Sequence, residues 1–98
     1  MSNHKFLFHN FEDHVGVAVE EIKAGAAVMG AYLEGDDQVN VTANQDIPLG
    51  HKIALKPAKQ GDIIVKYGEN IGKATQDIKV GDWVHTHNLK TARWDYGN

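Results

Sequence analysis

Residues 45–53, QDIPLGHKI, and residues 76–84, QDIKVGDWV, share one frame: acidic, apolar, two residues, glycine, two residues, apolar. EEIKAGAAV at 20–28 repeats it, and PAKQGDII at 57–64 is a weaker fourth copy with Ala58 in place of the isoleucine. The glycines are Gly25, Gly50, Gly61 and Gly81. Each stands where a tight turn needs a positive φ or room for a bulge, and each is followed by residues of strand character. The unequal spacing makes this a recurrent turn-into-strand device inside one fold, not a solenoid.

The segments between the turns mostly alternate between apolar and polar residues. KFLFH (5–9), VGVAV (15–19), AVMGAYL (27–33) and QVNVTA (38–43) read as strands, the last two joined by the turn EGDD. HKIAL (51–55), DIIVKY (62–67) and WVHTHN (83–88) complete the set, and YGENIG (67–72), with two glycines, predicts a second kind of turn. No stretch sustains an apolar period of 3.6, so the pattern allows at most one short helical turn, around Val19–Lys23. Many short strands with glycine turns predict a compact all-β domain over residues 1–98. Within it, residues 89–98 form a polar tail expected to be loosely held unless it docks on a partner. Arg93 and Trp94 suit such an anchor.

Composition narrows the function. Ninety-eight residues are one domain's worth of chain, with 42% hydrophobic and 23% charged residues, ordinary for a globular protein. A net charge of -3 offers no electrostatic reason to bind nucleic acid or an anionic membrane. No apolar run approaches the length that spans a bilayer, and the start is too polar for a signal peptide, so the expected location is cytoplasmic. Without cysteine there is no disulfide framework, thiolate ligand or thiol nucleophile. A small core without disulfides also raises the expectation that a partner shares the stabilising work.

Six histidines are available for chemistry. On a continuous strand, His85 and His87 project to one face with Trp83, roughly 6.5–7 Å apart. A His-x-His pair can begin a metal site, but needs further ligands from elsewhere, for which His9, Asp13, His14 and His51 are candidates. The same pair can line a groove that handles an anion or a proton, or lie on a solvated face. Pro48 and Gly50 fix a turn that presents His51 and Lys52, able together to hold a carboxylate or sulfonate. Asp13 and His14 side by side suit either acid–base work or a turn cap.

Four stretches, DHVGVAV, DIPLGHKIAL, IIVKYGENIG and DIKVGDWVHTHNLKTARW, together resemble the altronate/galactarate dehydratase family, and more narrowly its amino-terminal SAF domain. The resemblance covers nearly the whole chain in order, through Gly-His-Lys, Lys-Tyr-Gly-x-x-Ile-Gly and His-x-His-Asn. It implies a β-clip fold and a lyase that removes the C2 proton and a C3 leaving group from a small anionic 2-hydroxy acid. It also implies iron (Fe2+), expected mainly in a larger catalytic subunit. On this resemblance the chain is expected to be the small subunit of a two-subunit lyase that eliminates sulfite from (2R)-3-sulfolactate to give pyruvate. It would close over an active site carried mainly by the larger partner, and be inactive alone. A split altronate/galactarate-type sugar-acid dehydratase and a stand-alone SAF ligand-binding module are the alternatives. The motif positions implied as functional are His85 and His87 (catalytic) and His51, Lys52 and Asn88 (substrate-binding), with no metal ligand assigned.

Overall fold

The computed structural model describes residues 4–10 and 12–91, and the described residues form nine strands and no helix. Strands β1 (His4–Phe8), β2 (Val15–Ala18), β3 (Ala27–Tyr32), β4 (Gln38–Thr42), β5 (Lys52–Ala54) and β8 (Trp83–Val84) make one sheet, ordered β4-β3-β1-β2-β5-β8. Strands β6 (Ile63–Lys66), β7 (Glu69–Ala74) and β9 (Leu89–Thr91) make a second, ordered β6-β7-β9. Every pairing is antiparallel except that of β1 with β3. The all-β expectation holds.

The repeated frame explains the architecture, because its four turns pair two by two. Ile22 and Ile47 exchange backbone hydrogen bonds of 2.9 and 2.7 Å, and Ala58 and Ile78 do the same at 2.9 and 2.7 Å. The acidic residue of the second member closes the turn of the first: Asp46 accepts the Ala24 N–H at 2.8 Å, and Asp77 accepts the Gln60 N–H at 3.0 Å. The four turn glycines have φ between 84 and 93° (Gly25 86, Gly50 84, Gly61 92, Gly81 93), where a side chain is disfavoured.

Each turn pair roofs one core. Ile22 and Ile47 are buried with Phe6, Phe8, Val28 and Ile53, whereas Ala58 and Ile78 are buried with Val15, Ile64, Val84 and Leu89. Full burial of an isoleucine contributes about 1.5–3 kcal/mol, so the frame's apolar position stabilises as well as shapes. The two cores meet at β2, β5 and β8, whose alternate residues feed opposite clusters. Ile53 goes to the first, and Val15, Ala54 and Val84 to the second.

Three local expectations change. No helical turn forms around Val19–Lys23, because Ile22 is claimed by its bridge to Ile47. The glycines of YGENIG do not make one long turn: only Tyr67 and Gly68 turn, and Glu69–Ala74 is β7. Gly72 is in the strand, at a register irregularity, where a Cβ would overlap the Lys90 carbonyl of β9; it marks close backbone approach. The strand expected over 83–88 ends at Val84, and Leu89–Thr91, assigned to the tail, is β9, paired with β7. The rest of that tail, with Arg93 and Trp94, lies outside the described residues.

The β6–β7 turn is itself unusual. Lys66 pairs with Glu69, leaving Tyr67 (φ 56°) and Gly68 (φ 73°) as a two-residue turn with both φ positive. Tyrosine in that region costs about 1–2 kcal/mol. Asp13 offsets part of this. Its buried carboxylate accepts the Gly68 N–H at 3.2 Å and the N–H groups of Asn10 and His9 at 3.0 and 3.3 Å. Asp13 is therefore the turn cap of the two roles open to it in sequence.

Candidate functional site

His51 is free for function because of Pro48. In the copies of the frame at 57–64 and 76–84 the residue after glycine is aspartate. Asp62 accepts the Lys59 N–H and Asp82 the Lys79 N–H, each at 2.8 Å. In the copy at 45–53 the position of Lys59 and Lys79 is taken by Pro48, which has no N–H to satisfy. The position of the aspartate is accordingly available, and His51 fills it. The backbone turn is kept by the His51 N–H donating to the Pro48 carbonyl at 3.0 Å.

The ring of His51 instead meets Trp83, whose Nε1–H donates to His51 Nδ1 at 3.1 Å. That bond fixes the neutral tautomer of His51 with its proton on Nε2. His85 lies 4.6 Å from His51, centroid to centroid, and stacks on Trp83 at 5.5 Å with 9° between planes. His87 contacts the same indole at 5.1 Å and 45°. His51, just before β5, and His85 and His87, just after β8, thus converge on one tryptophan.

Asn88 makes this convergence. Its Oδ1 accepts the His85 N–H and its Nδ2 donates to the Trp83 carbonyl, both at 2.9 Å, while its backbone N–H reaches the His85 carbonyl at 3.1 Å. These bonds stop β8 and wrap His85–Asn88 into a turn held also by Gln76, whose Nε2 donates to the His87 carbonyl at 2.9 Å. Simple strand alternation therefore does not govern His85 and His87. Asn88 is also only 4% exposed, with both ends of its amide engaged by backbone.

Lys52 follows His51 but belongs to the other row of the sheet. It pairs with Val84 across to β8, whereas Ile53 pairs with Trp83, so strand alternation separates it from the indole. Its charge is nonetheless felt by its neighbours. Burial, then the ammonium of Lys66, lowers the Lys52 pKa below its ordinary value. His85 is exposed, yet one ring face is shielded by the indole. That shielding, followed by the charges of His51, Lys52 and His87, lowers its pKa below the ordinary 6.5. No ion pair among the described residues involves His51, Lys52, Lys66, His85 or His87; the ion pairs formed are Lys5–Glu20, His9–Glu34 and Lys23–Glu21. The cavity beside His87 and Asn88 is lined also by Gln45, Gln76 and the carboxylates of Asp77 and Asp82.

The remaining candidate ligands are elsewhere. His9 pairs with Glu34 at 2.9 Å and meets the Tyr67 ring edge-on at 4.8 Å. His14 is committed to β6, accepting the Val65 N–H on Nδ1 at 3.0 Å and donating its own N–H to the Val65 carbonyl at 2.8 Å. Among the described residues no three histidine, aspartate or glutamate side chains are placed to hold a metal ion. With Nδ1 of His51 engaged by Trp83, the imidazole cluster does not fit a complete iron site. Trp83 was noted in sequence only as a neighbour on the face, yet its ring contacts all three histidines. Pro48 was the available signal for His51, since a proline at the capped position removes the need for aspartate.

The Altronate/galactarate dehydratase SAF domain matches residues 4–92. The chain belongs to this family. A (2R)-sulfolactate sulfo-lyase subunit alpha from Chromohalobacter salexigens is 37% identical to this SAF domain over 90 residues, covering 91% of this chain and 96% of that one. A second protein of that name, from Paracoccus pantotrophus, is 59% identical over 54 residues, covering 55% of this chain and 81% of that one. Altronate dehydratase from Bacillus subtilis is 44% identical over 86 residues, 88% of this chain but 16% of its own. In that enzyme the SAF-like part is a small fraction of a longer polypeptide. No helix among the described residues of this SAF domain is long and apolar enough to cross a membrane.

Proposed function

We propose that this chain is the small subunit of a two-subunit lyase that eliminates sulfite from (2R)-3-sulfolactate, leaving pyruvate. The observation that carries this reading is coverage: the match spans 96% of a relative named as an alpha subunit, against 16% of a dehydratase. The basic cluster supports it, because the substrate carries both a carboxylate and a sulfonate.

In the reaction a base takes the C2 proton and the C3–S bond breaks with its electron pair leaving on sulfite. The resulting enol is protonated at C3 to give pyruvate. In this reading His85 is the proton acceptor. Its lowered pKa keeps it neutral at pH 7, and its ring makes no hydrogen bond with a described residue. His51 presents its Nε2–H to a substrate oxygen, and Asn88 holds the turn that places His85 and His87. The iron that the family implies would supply cationic stabilisation of the enediolate oxygens when bound. We assign its site to the larger subunit, which also completes the active site, and place the complex in the cytoplasm.

The test is purification of the chain with its partner, followed by assay of sulfite and pyruvate from (2R)-3-sulfolactate. Equimolar release of both is expected. Water loss from a sugar acid without sulfite release would establish instead the split-dehydratase reading, which the 44% identity to altronate dehydratase favours. The pH profile tests the base. A residue that must be neutral, with its pKa lowered, places the acid limb of kcat/KM below the ordinary 6.5, and activity is lost as pH falls through it. Lys52→Gln removes one of the depressing charges and is expected to move that acid limb upward. An acid limb at or above 6.5 in the native complex would remove His85 from the role.

A further inference from the structure

His51 has one polar side-chain atom left for a ligand. Its Nδ1 accepts the Trp83 Nε1–H at 3.1 Å, its backbone N–H donates to the Pro48 carbonyl at 3.0 Å, and its carbonyl accepts the Ala18 N–H at 2.8 Å. What remains is Nε2, which carries the proton of the neutral ring and so donates without accepting. The group that imposes this is itself held in place. Trp83 stands opposite Ile53 in the β5–β8 pair and packs on the first core. Its backbone N–H donates to Gln45 Oε1 at 2.8 Å, and its carbonyl accepts the Asn88 amide at 2.9 Å. The indole ring lies 5.7 Å from that of His51 and 5.5 Å from that of His85. An indole N–H only donates, so the Trp83–His51 bond cannot reverse its direction. A hydroxyl in its place could donate or accept, and would leave both tautomers of His51 open.

We propose that Trp83 is a positioning residue that sets substrate choice: by holding His51 as an obligatory donor, it makes the site select a 2-hydroxy acid over the corresponding 2-amino acid. This assignment rests on the lyase reading above, with the His51 Nε2–H directed at the oxygen on C2. In that reading His85 takes the C2 proton, and its ring centre is 4.6 Å from that of His51, so the donor lies close to what is bonded to C2. A hydroxyl oxygen has lone pairs to accept the Nε2–H. An ammonium has only N–H groups and would meet the donor with another donor, leaving both unpaired. His85 does not relieve the mismatch, because its accepting nitrogen faces the C2 proton.

The experiment uses the complex with the larger subunit, sulfolactate as substrate, and (2R)-2-amino-3-sulfopropionate, of the same configuration, as inhibitor. For the native complex the inhibition constant is expected to be at least about a hundredfold above the KM for sulfolactate. Trp83→Phe keeps a ring for His85 to stack on but removes the donor, and co-elution with the partner checks assembly. It is expected to lower kcat/KM for sulfolactate by about tenfold and to tighten the amino acid by about tenfold, since the released His51 can present an accepting nitrogen. A merely structural role for Trp83 would weaken both compounds together. His51→Gln, whose amide offers a donor and an acceptor, should narrow the same preference, and decides the matter where Trp83→Phe does not assemble. A native complex that binds both compounds alike, or a preference unchanged by the substitutions, overturns the assignment while leaving the lyase intact. Failure of the native complex to release sulfite overturns the lyase reading and the assignment with it.

Discussion

Replacing His85 with alanine is expected to lower turnover of the assembled lyase by about a hundredfold or more, the range that loss of a general base produces. The prediction rests on position. His85 contacts both His51 at 4.6 Å and Trp83 at 5.5 Å, so it stands at the centre of the cluster, while His87 touches only the indole, at 5.1 Å. His87→Ala is therefore expected to have the smaller effect of the two. Neither substitution threatens the fold, because both side chains are exposed and the turn is held by the backbone of His85 and the side chain of Asn88. Steady-state kinetics with each variant, after a gel-filtration check that the partner still binds, separates chemistry from assembly. Should His85→Ala retain activity within about twofold, the cluster is not where the proton moves. The stand-alone binding-module reading would then gain.

The second large effect falls on stability. Gly81→Ala is expected to cost about 3 kcal/mol or more, a large fraction of the stability of a domain of this size. Two penalties combine there. The residue has φ of 93°, and a Cβ would overlap the carbonyl oxygen of Thr42 at the end of β4. That carbonyl cannot retreat without disturbing the neighbouring backbone bonds, in which Asn44 donates to the Gly81 carbonyl at 2.9 Å and Gly81 donates to Ala54 at 2.8 Å. Gly25 occupies the same position of the frame, with φ of 86°, but its Cβ would meet nothing within 4 Å. Gly25→Ala should thus cost about 1–2 kcal/mol, the conformational penalty alone. Urea titration of both variants distinguishes the contributions, and equal midpoints would show that contact with Thr42 is not limiting.

This pair of glycines shows how far the sequence reaches. The repeated frame identifies both as turn residues with positive φ, and that inference needs only four or five consecutive positions. Nothing in the frame distinguishes them, since the difference lies in Thr42, which only packing brings to Gly81. The same boundary runs through the strands. KFLFH, VGVAV and QVNVTA are legible because alternation is local, whereas the start of β7 reads as a turn because Gly72 has the local signature of one. Its place in the ladder depends on the approach of Lys90 from β9.

In the site, Gly-His-Lys and His-x-His-Asn were legible as motifs, but their division of labour was not. Asn88 resembles a ligand-binding residue in the motif and is buried in the fold, spending its amide on the Trp83 carbonyl and the His85 N–H. His51 and Lys52 are neighbours in sequence and are separated by the pleat.

By itself, the sequence determined the glycine turns, the all-β class, the apolar residues that roof each core and the family to which the chain belongs. These follow from backbone preference and alternation, which act over a few residues. The tertiary structure decided that the turns pair, that Pro48 leaves His51 free to meet Trp83, and that His51, His85 and His87 converge on that indole. Those outcomes depend on hydrogen bonds between residues far apart in the chain, whose formation requires the sheets to be packed first.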